Sequence, residues 1–193
     1  MKPISSLENF YKKGFFGDYE NKDENDLIKI KEKNNLYIIQ IVQYKNSSTI
    51  SKKIDELSLS NEALKITSNN ETRILWTGPK TWIVTSTKKD LLKDINKIFN
   101  VYDFAVTDLS HSRAIIEIEG KFSKEVLKKG CPFNFSDLKK NNCVNSLFNG
   151  VAVTIDMVDD NPNKIRIFTL RSFGHSFYES ITDSCLEFGY KSL

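Results

Sequence analysis

The chain has few of the residues that special chemistry is built from. Its 193 residues include three cysteines, two histidines, two methionines, two tryptophans, four prolines and eight glycines. The cysteines, Cys131, Cys143 and Cys185, are odd in number and form no close pair. That excludes a secreted disulfide scaffold and fits a reducing cytoplasm. No apolar run reaches membrane-spanning length, and residues 1–17 carry lysines without the apolar segment of a signal peptide. The sequence therefore predicts a soluble, cytoplasmic protein with no membrane partner.

A dominant charge is missing too. Lys and Arg number 28 against 25 Asp and Glu, and residues 1–100 hold 17 of the basic groups and 13 of the acidic ones. Lysines alternate with Asn, Asp and Glu, as in Asn21-Lys22-Asp23-Glu24. Nucleic-acid binders gather basic groups on one surface, so no nucleic-acid partner is expected. The abundance of Lys, Asn and Ile is what an A/T-rich coding sequence yields. Glycine-rich phosphate loops are absent: there is neither a GxGxxG nor a GxxxxGK[ST] motif. Residues 18–77 contain no glycine at all, and they span the strand-helix unit where a dinucleotide loop would sit. Nor is there a CxxC, HxH or HExxH pair to place two metal ligands on one turn. Cys131 and Cys143 share a loop-rich region, but two ligands do not complete a structural zinc site.

What is present suits an ordinary globular fold. Hydrophobic residues make up 39% of the chain, with 13 Phe and 7 Tyr, enough bulk to bury a core. Residues 1–25 are polar with aromatic islands at Phe10-Tyr11 and Phe15-Phe16, and read either as a disordered tail or, the favoured reading, as an arm that docks its rings on a partner. From there the pattern is periodic. Strands are expected at 27–31, with Ile28 and Ile30 on one face, and at 36–44, a nearly continuous apolar run. Ser47-Ser48 reads as the cap of a helix carrying Ile50, Ile54 and Leu57. Strands at 73–77 and 82–86 flank Gly78-Pro79-Lys80, and Thr87-x-x-Asp90 reads as a capping box for a helix through Phe99. That helix shows Leu91, Leu92, Ile95, Ile98 and Phe99 on one side.

The order then recurs. Ala114, Ile116 and Ile118 alternate on a strand ending at Gly120, and a short helix with Phe122, Val126 and Leu127 stops at Gly130 and Pro132. Val151, Val153, Ile155 and Met157 alternate on another strand, a turn covers 159–163, and a strand follows at 165–171. A last helix carries Phe173, Phe177, Ile181, Cys185 and Phe188 on one stripe and ends at Gly189. The expected fold is therefore α+β: pseudo-duplicated strand-helix-strand-strand-helix units, with helices packed on mainly antiparallel sheet. The domain spans 26–193, in two lobes at approximately 26–101 and 102–193.

Searching for reactive sets yields little. Cys185 follows His175 by ten residues, which puts the two about three turns apart near opposite helix faces. The densest polar cluster, Thr107-Asp108-Leu109-Ser110-His111-Ser112-Arg113, suggests an acid/base set at first sight. In β geometry, however, Asp108, Ser110 and Ser112 face one way and His111 and Arg113 the other. A structural role competes with catalysis and is favoured: Asp108 or Ser110 satisfying turn amides, and Arg113 pairing with a carboxylate. Trp76 and Trp82 flank the Gly-Pro turn, either as a stacking shelf for a pterin or base or, the favoured reading, as hairpin core.

Four segments taken together resemble one family. Residues 73–84 (RILWTGPKTWIV) are similar to the LWLGPDRWLL stretch of the gamma subunit of heterotetrameric sarcosine oxidase. Residues 108–113 (DLSHSR) resemble its DLSHSR/DLSHAR segment, and residues 127–135 (LKKGCPFNF) its LAKGCPLDL. Residues 170–176 (LRSFGHS) and 187–189 (EFG) resemble its C-terminal ending. Order and spacing agree over roughly residues 72–190, while the N-terminal third matches only loosely. The resemblance implies a non-catalytic structural or assembly subunit with the folate-binding aminomethyltransferase-like fold. The complex it implies demethylates sarcosine oxidatively to glycine, with hydrogen peroxide and one-carbon transfer to tetrahydrofolate. FAD, FMN, NAD, tetrahydrofolate and zinc are expected in the alpha, beta and delta subunits. No catalytic, cofactor or metal residue carries over to this chain. The family-motif positions, read as structural or interface residues, are Trp76, Gly78, Pro79, Trp82, Asp108, Ser110, His111, Arg113, Gly130, Cys131, Pro132, Arg171 and Phe173. The alternative, a free-standing folate-binding aminomethyltransferase-like protein, belongs to a class typically near twice this length.

Overall fold

Isoleucines alternating with charged residues are gathered by strand pairing into two sheets. The computed structural model describes residues 5–47 and 52–193. In chain order the strands are β1 (Gly14–Phe16), β2 (Ile28–Glu32), β3 (Tyr37–Gln43), β4 (Lys53–Ile54), β5 (Leu57–Ser58), β6 (Ile66–Ser68), β7 (Thr72–Gly78) and β8 (Thr81–Ser86). Helix α1 (Leu91–Ile98) leads to β9 (Phe104–Asp108) and β10 (Arg113–Glu119). Helix α2 (Ser123–Lys128), β11 (Cys143–Phe148), β12 (Val151–Asp160), β13 (Asn163–Leu170), α3 (Gly174–Cys185) and β14 (Tyr190–Ser192) complete the chain. No helix among the described residues is long and apolar enough to cross a membrane.

Two compact units result. One comprises residues 1–34, 112–140 and 144–193, the other 35–111 and 141–143. The first unit holds a seven-stranded sheet in the order β1-β14-β2-β10-β13-β12-β11. Strands β1 and β14, β2 and β10, β10 and β13, and β13 and β12 pair antiparallel, while β14 and β2 run parallel. Ile30, Ile116, Ile118, Ile155, Ile165 and Ile167 pack there against Val126 and Leu127 of α2 and Phe177 and Ile181 of α3. Fully burying each such side chain is worth about 1.5–3 kcal/mol, so this apolar face dominates the unit's stability.

The opposite register positions of the same strands are charged. Lys31 stands across from Glu117, Glu117 across from Arg166, and Arg166 across from Asp156. Glu117 Oε2 accepts from Arg166 Nε at 2.7 Å, with only 9% and 16% of the two side chains exposed. Asp156 is fully buried. Cross-strand pairs of opposite sign fix register, because a one-residue slip would turn every ion toward the apolar side.

The second unit has a five-stranded antiparallel sheet, β6-β7-β8-β3-β9. Ile39, Ile41, Ile74, Trp82 and Val84 pack against Leu91, Ile95 and Phe99 of α1 and its C-terminal flank. Ile54 and Leu59 close the same core.

Several sequence expectations change. The helix expected from Ser47-Ser48 onward is not found at 53–58, where β4 and β5 form a hairpin. Its two central residues, Asp55 and Glu56, have φ of 50° and 66°, which no helix accommodates. Ser48 and Ile50 lie outside the described residues. The capping box at Thr87 does not form: α1 starts at Leu91 behind Asp90, without a side-chain cap, and Ser86 Oγ accepts the Lys88 amide instead. The region read as loop-rich yields β11, whose hairpin with β12 turns at Asn149-Gly150 with φ of 46° and 84°. The turn expected at 159–163 narrows to Asn161 and Pro162. The first half, 26–101, runs strand, strand, hairpin, three strands, helix, so the expected strand-helix-strand-strand-helix order is not kept there.

The lobe boundaries differ as well. β1 and β2 join the first unit and β9 the second, so each sheet takes strands from both halves of the sequence. The N-terminal arm spends its rings within its own unit. Leu7 is fully buried, Tyr11 Oη donates to the carbonyls of Ile30 (3.0 Å) and Leu193 (3.1 Å), and Phe16 stacks on Tyr190. A Cβ on Gly17 would lie 2.2 Å from the Leu186 carbonyl oxygen, so a bare backbone is needed where the arm crosses the C-terminal segment.

Candidate functional site

The motif positions divide between the two units. In the second unit, Trp76 and Trp82 are register partners on β7 and β8. Trp82 is 2% exposed, and its indole N–H donates to the Ser60 carbonyl at 2.7 Å. A ring so covered has no free face for a pterin or base; it is core, as favoured from sequence. Trp76 is half-buried against the same cluster, and its carbonyl accepts the Cys143 thiol proton at 3.0 Å. Gly78 sits at a bulge with no positive φ, and a Cβ there would meet only the Thr81 Cβ, at 3.9 Å. The strained turn residue is Lys80, with φ of 55°. Its ammonium donates to the Lys45 carbonyl at 3.0 Å, and Thr81 Oγ1 donates to the Pro79 carbonyl at 3.2 Å.

The DLSHSR segment is a ladder extension. Asp108 Oδ1 accepts from the Ser110 amide (2.9 Å) and the Ser110 hydroxyl (2.6 Å), and Ser110 Oγ accepts the Ile38 amide at 2.9 Å. Leu109 N–H donates to the Ile38 carbonyl at 2.7 Å. The serine proton thus points at a carboxylate, and its oxygen is occupied by a backbone donor. A nucleophile would need a base and a free approach path. Residues 110–112 form a turn, so the alternation assumed from β geometry does not apply. His111 is exposed and makes no hydrogen bond or ion pair among the described residues.

Arg113 opens β10 in the first unit. The expected carboxylate partner is not found among the described residues, and half-burial pulls its guanidinium below the ordinary arginine value. Gly130 ends the turn after α2, where a Cβ would come within 2.9 Å of the Phe148 ring and Asn149 Oδ1. Its carbonyl accepts the Asn149 amide at 3.0 Å. Cys131 is buried, with its thiol pushed up to about 11 by burial. Pro132 is exposed beside it. Arg171 bonds through its amide to the Ser112 carbonyl (2.9 Å) and through Nη2 to the Ser5 carbonyl (3.2 Å), clamping the arm. Phe173, 47% exposed, precedes α3.

The cysteines of the sequence motifs and of α3 are held as thiols. Cys185 is fully buried, and burial pushes its thiol up to about 12. Burial in apolar surroundings disfavours the thiolate, the reactive form. His175 stacks on Phe10 with ring centroids 3.6 Å apart and meets Glu179 at 3.2 Å, away from Cys185 on the same helix. Among the described residues, no three His, Cys, Asp or Glu side chains gather into a metal-sized group. What sequence reading missed is the buried Glu117–Arg166 pair. Its signal was present: Glu117, Glu119, Lys164 and Arg166 alternate with isoleucines or flank them on neighbouring strands.

No family model and no curated protein sequence matches the chain. Among solved structures it is similar to a heterotetrameric sarcosine oxidase from Corynebacterium sp. U-96, in complex with pyrrole 2-carboxylate. That likeness has a TM-score of 0.76 at 18% identity, covering 86% of this chain and 87% of that one. It is also similar to glycine cleavage system aminomethyltransferase T from Bartonella henselae, with a TM-score of 0.61 at 9% identity. There, 82% of this chain matches 46% of the other, so the chain spans about half the length of that protein. At such identities the likeness establishes the fold alone: this chain has the α+β, aminomethyltransferase-like fold found in both.

Proposed function

We propose that the chain is a non-catalytic structural or assembly subunit of a sarcosine oxidase-type complex, in the role of the gamma subunit, in the cytoplasm. The observation that carries this reading is the pairing of a near full-length fold match to a chain of a heterotetrameric oxidase with a motif set spent on backbone hydrogen bonds. In this reading the partners are alpha, beta and delta subunits. FAD, FMN, NAD, tetrahydrofolate and zinc reside there, together with demethylation of sarcosine and one-carbon transfer. The halves 26–101 and 102–193 are a duplicated unit whose leading strands, β2 and β9, have exchanged sheets. In both sheets a three-strand meander is followed by the strand that precedes it in sequence and then by the exchanged one.

The test is co-expression with the large subunits of a sarcosine oxidase from the same genome. Stoichiometric co-purification supports the reading. A monomeric chain, left behind while those subunits assemble fully active without it, refutes it. A free-standing folate-binding aminomethyltransferase-like protein is the second reading, favoured by the likeness to aminomethyltransferase T. It requires saturable tetrahydrofolate binding by the isolated chain.

A further inference from the structure

A shallow groove beside the N-terminal arm is built for a positive charge. It encloses about 380 Å³ and is lined by Phe15, Tyr19, Glu20, Lys22, Glu24 and Leu27, all in the first unit. The Phe15 and Tyr19 rings stand 5.7 Å apart, tilted by 32°, and together form an aromatic corner of the groove. Phe15 is 41% exposed although it is large and apolar. The chain's own chemistry shows what this corner accepts. Lys191 Nζ lies 5.1 Å from the Phe15 ring centroid and 2.5 Å from Glu24 Oε1, a cation held by a ring face and a carboxylate together. Lys22, the lysine that lines the groove, is engaged elsewhere. Lys22 Nζ is turned to Asp18 at 2.8 Å and to the carbonyls of Glu187 and Phe188 at 3.3 and 3.2 Å. Glu20 is exposed and has no ion pair or hydrogen bond among the described residues. A ring quadrupole attracts cations of low hydration best, since less water is lost on contact.

The geometry points to this groove as a binding site for an organic cation of the alkylammonium or guanidinium class, seated on Phe15 and Tyr19 with Glu20 and Glu24 as counter-charges and Lys191 as a built-in competitor. The inference does not depend on the subunit role, because the site is complete in one chain. The test follows amide and side-chain NMR shifts of the full chain during titration with tetramethylammonium chloride, against sodium chloride at equal ionic strength. Saturable shifts confined to the groove and to Lys191 are expected, with Kd on the order of 1–10 mM for so open a site. Lys191→Met, which keeps the aliphatic stem and removes the competitor, should tighten binding ~3–10-fold, and Phe15→Leu should abolish it. A parallel titration with N-acetyl-arginine amide separates the two sources. Tighter tetramethylammonium binding indicates a free small cation, and tighter arginine binding a basic side chain of a partner protein. Shifts that do not saturate, shifts spread over the whole chain, or a Lys191→Met variant that binds no tighter overturn the site.

Discussion

The two sheets share a plan and differ in what surrounds it. Each has a meander of three strands, β6-β7-β8 in one and β11-β12-β13 in the other, followed by β3 or β10 and then by β9 or β2. The second unit's sheet stops there. The first unit's continues through β14 and β1 and holds a buried charged pair, while the second unit's ion pairs, such as Lys88–Asp55 at 2.8 Å, are more exposed. The difference teaches where each unit's register comes from. The second relies on apolar packing and a strained hairpin, and the first adds alternating charge on four neighbouring strands. Both lack a strand of their own, since β2 and β9 come from the opposite half of the chain.

The sharpest way to break the comparison is to cut the chain between Val101 and Tyr102, which are 76% and 89% exposed and so tolerate a nick. Neither half should fold alone, by circular dichroism and NMR dispersion, because each leaves both sheets incomplete. The halves co-expressed should restore the native spectrum. Next in size is Glu117→Ala, which removes the 2.7 Å acceptor of the half-buried Arg166 while Asp156 still stands across from it, and should cost about 1.5–3 kcal/mol in denaturant unfolding. The corresponding change in the second unit, Asp55→Asn, should cost ~1 kcal/mol or less.

The pH dependence of Asp55 sharpens the point. Burial alone would raise its pKa, but the hydrogen bonds from Lys88 and Thr72 outweigh burial and hold the carboxyl below its ordinary value. A depressed folded pKa means the stabilisation is present above the unfolded value of about 3.9 and is lost as pH falls through the folded one. Asp55→Asn should therefore flatten that part of the acid limb in pH-dependent thermal melts. Smaller still is the contrast within the motif. Ser110→Ala removes the acceptor of the Ile38 amide and should cost ~1–2 kcal/mol. His111→Ala, with no partner to lose, should stay within about 0.5 kcal/mol.

Much of this was legible in the sequence. Alternating apolar residues located β2, β10 and β12, and the apolar stripes of α1 and α3 predicted their buried faces, with Leu91, Ile95, Phe177 and Ile181 in the cores. Asp108 accepts the Ser110 amide and hydroxyl, and Ser110 accepts the Ile38 amide, contacts that short-range polar spacing foreshadows. The rest depended on information that local pattern does not carry. Asp55 and Glu56 adopt left-handed φ without the Gly or Asn that would advertise it, so their hairpin read as a helix. β1 and β14 are three residues long, too short for a period, and exist because Tyr190 stacks on Phe16 and the backbones pair. The pairing of β2 with β10 and of β9 with β3 is a choice of partner across more than sixty residues, decided by tertiary packing. Among the described residues Arg113 meets no carboxylate, because pairing, unlike periodicity, is set by what lies opposite: Leu170.

Central to the proposed subunit role is the supposition that the polar motif residues serve the scaffold and form no reactive set. The most direct measurement is hydrogen peroxide release from sarcosine by the isolated, purified chain supplied with FAD and tetrahydrofolate. The expected result is no release above the protein-free blank. Turnover that disappears in the Ser110→Ala variant, with its fold intact by NMR, would contradict it.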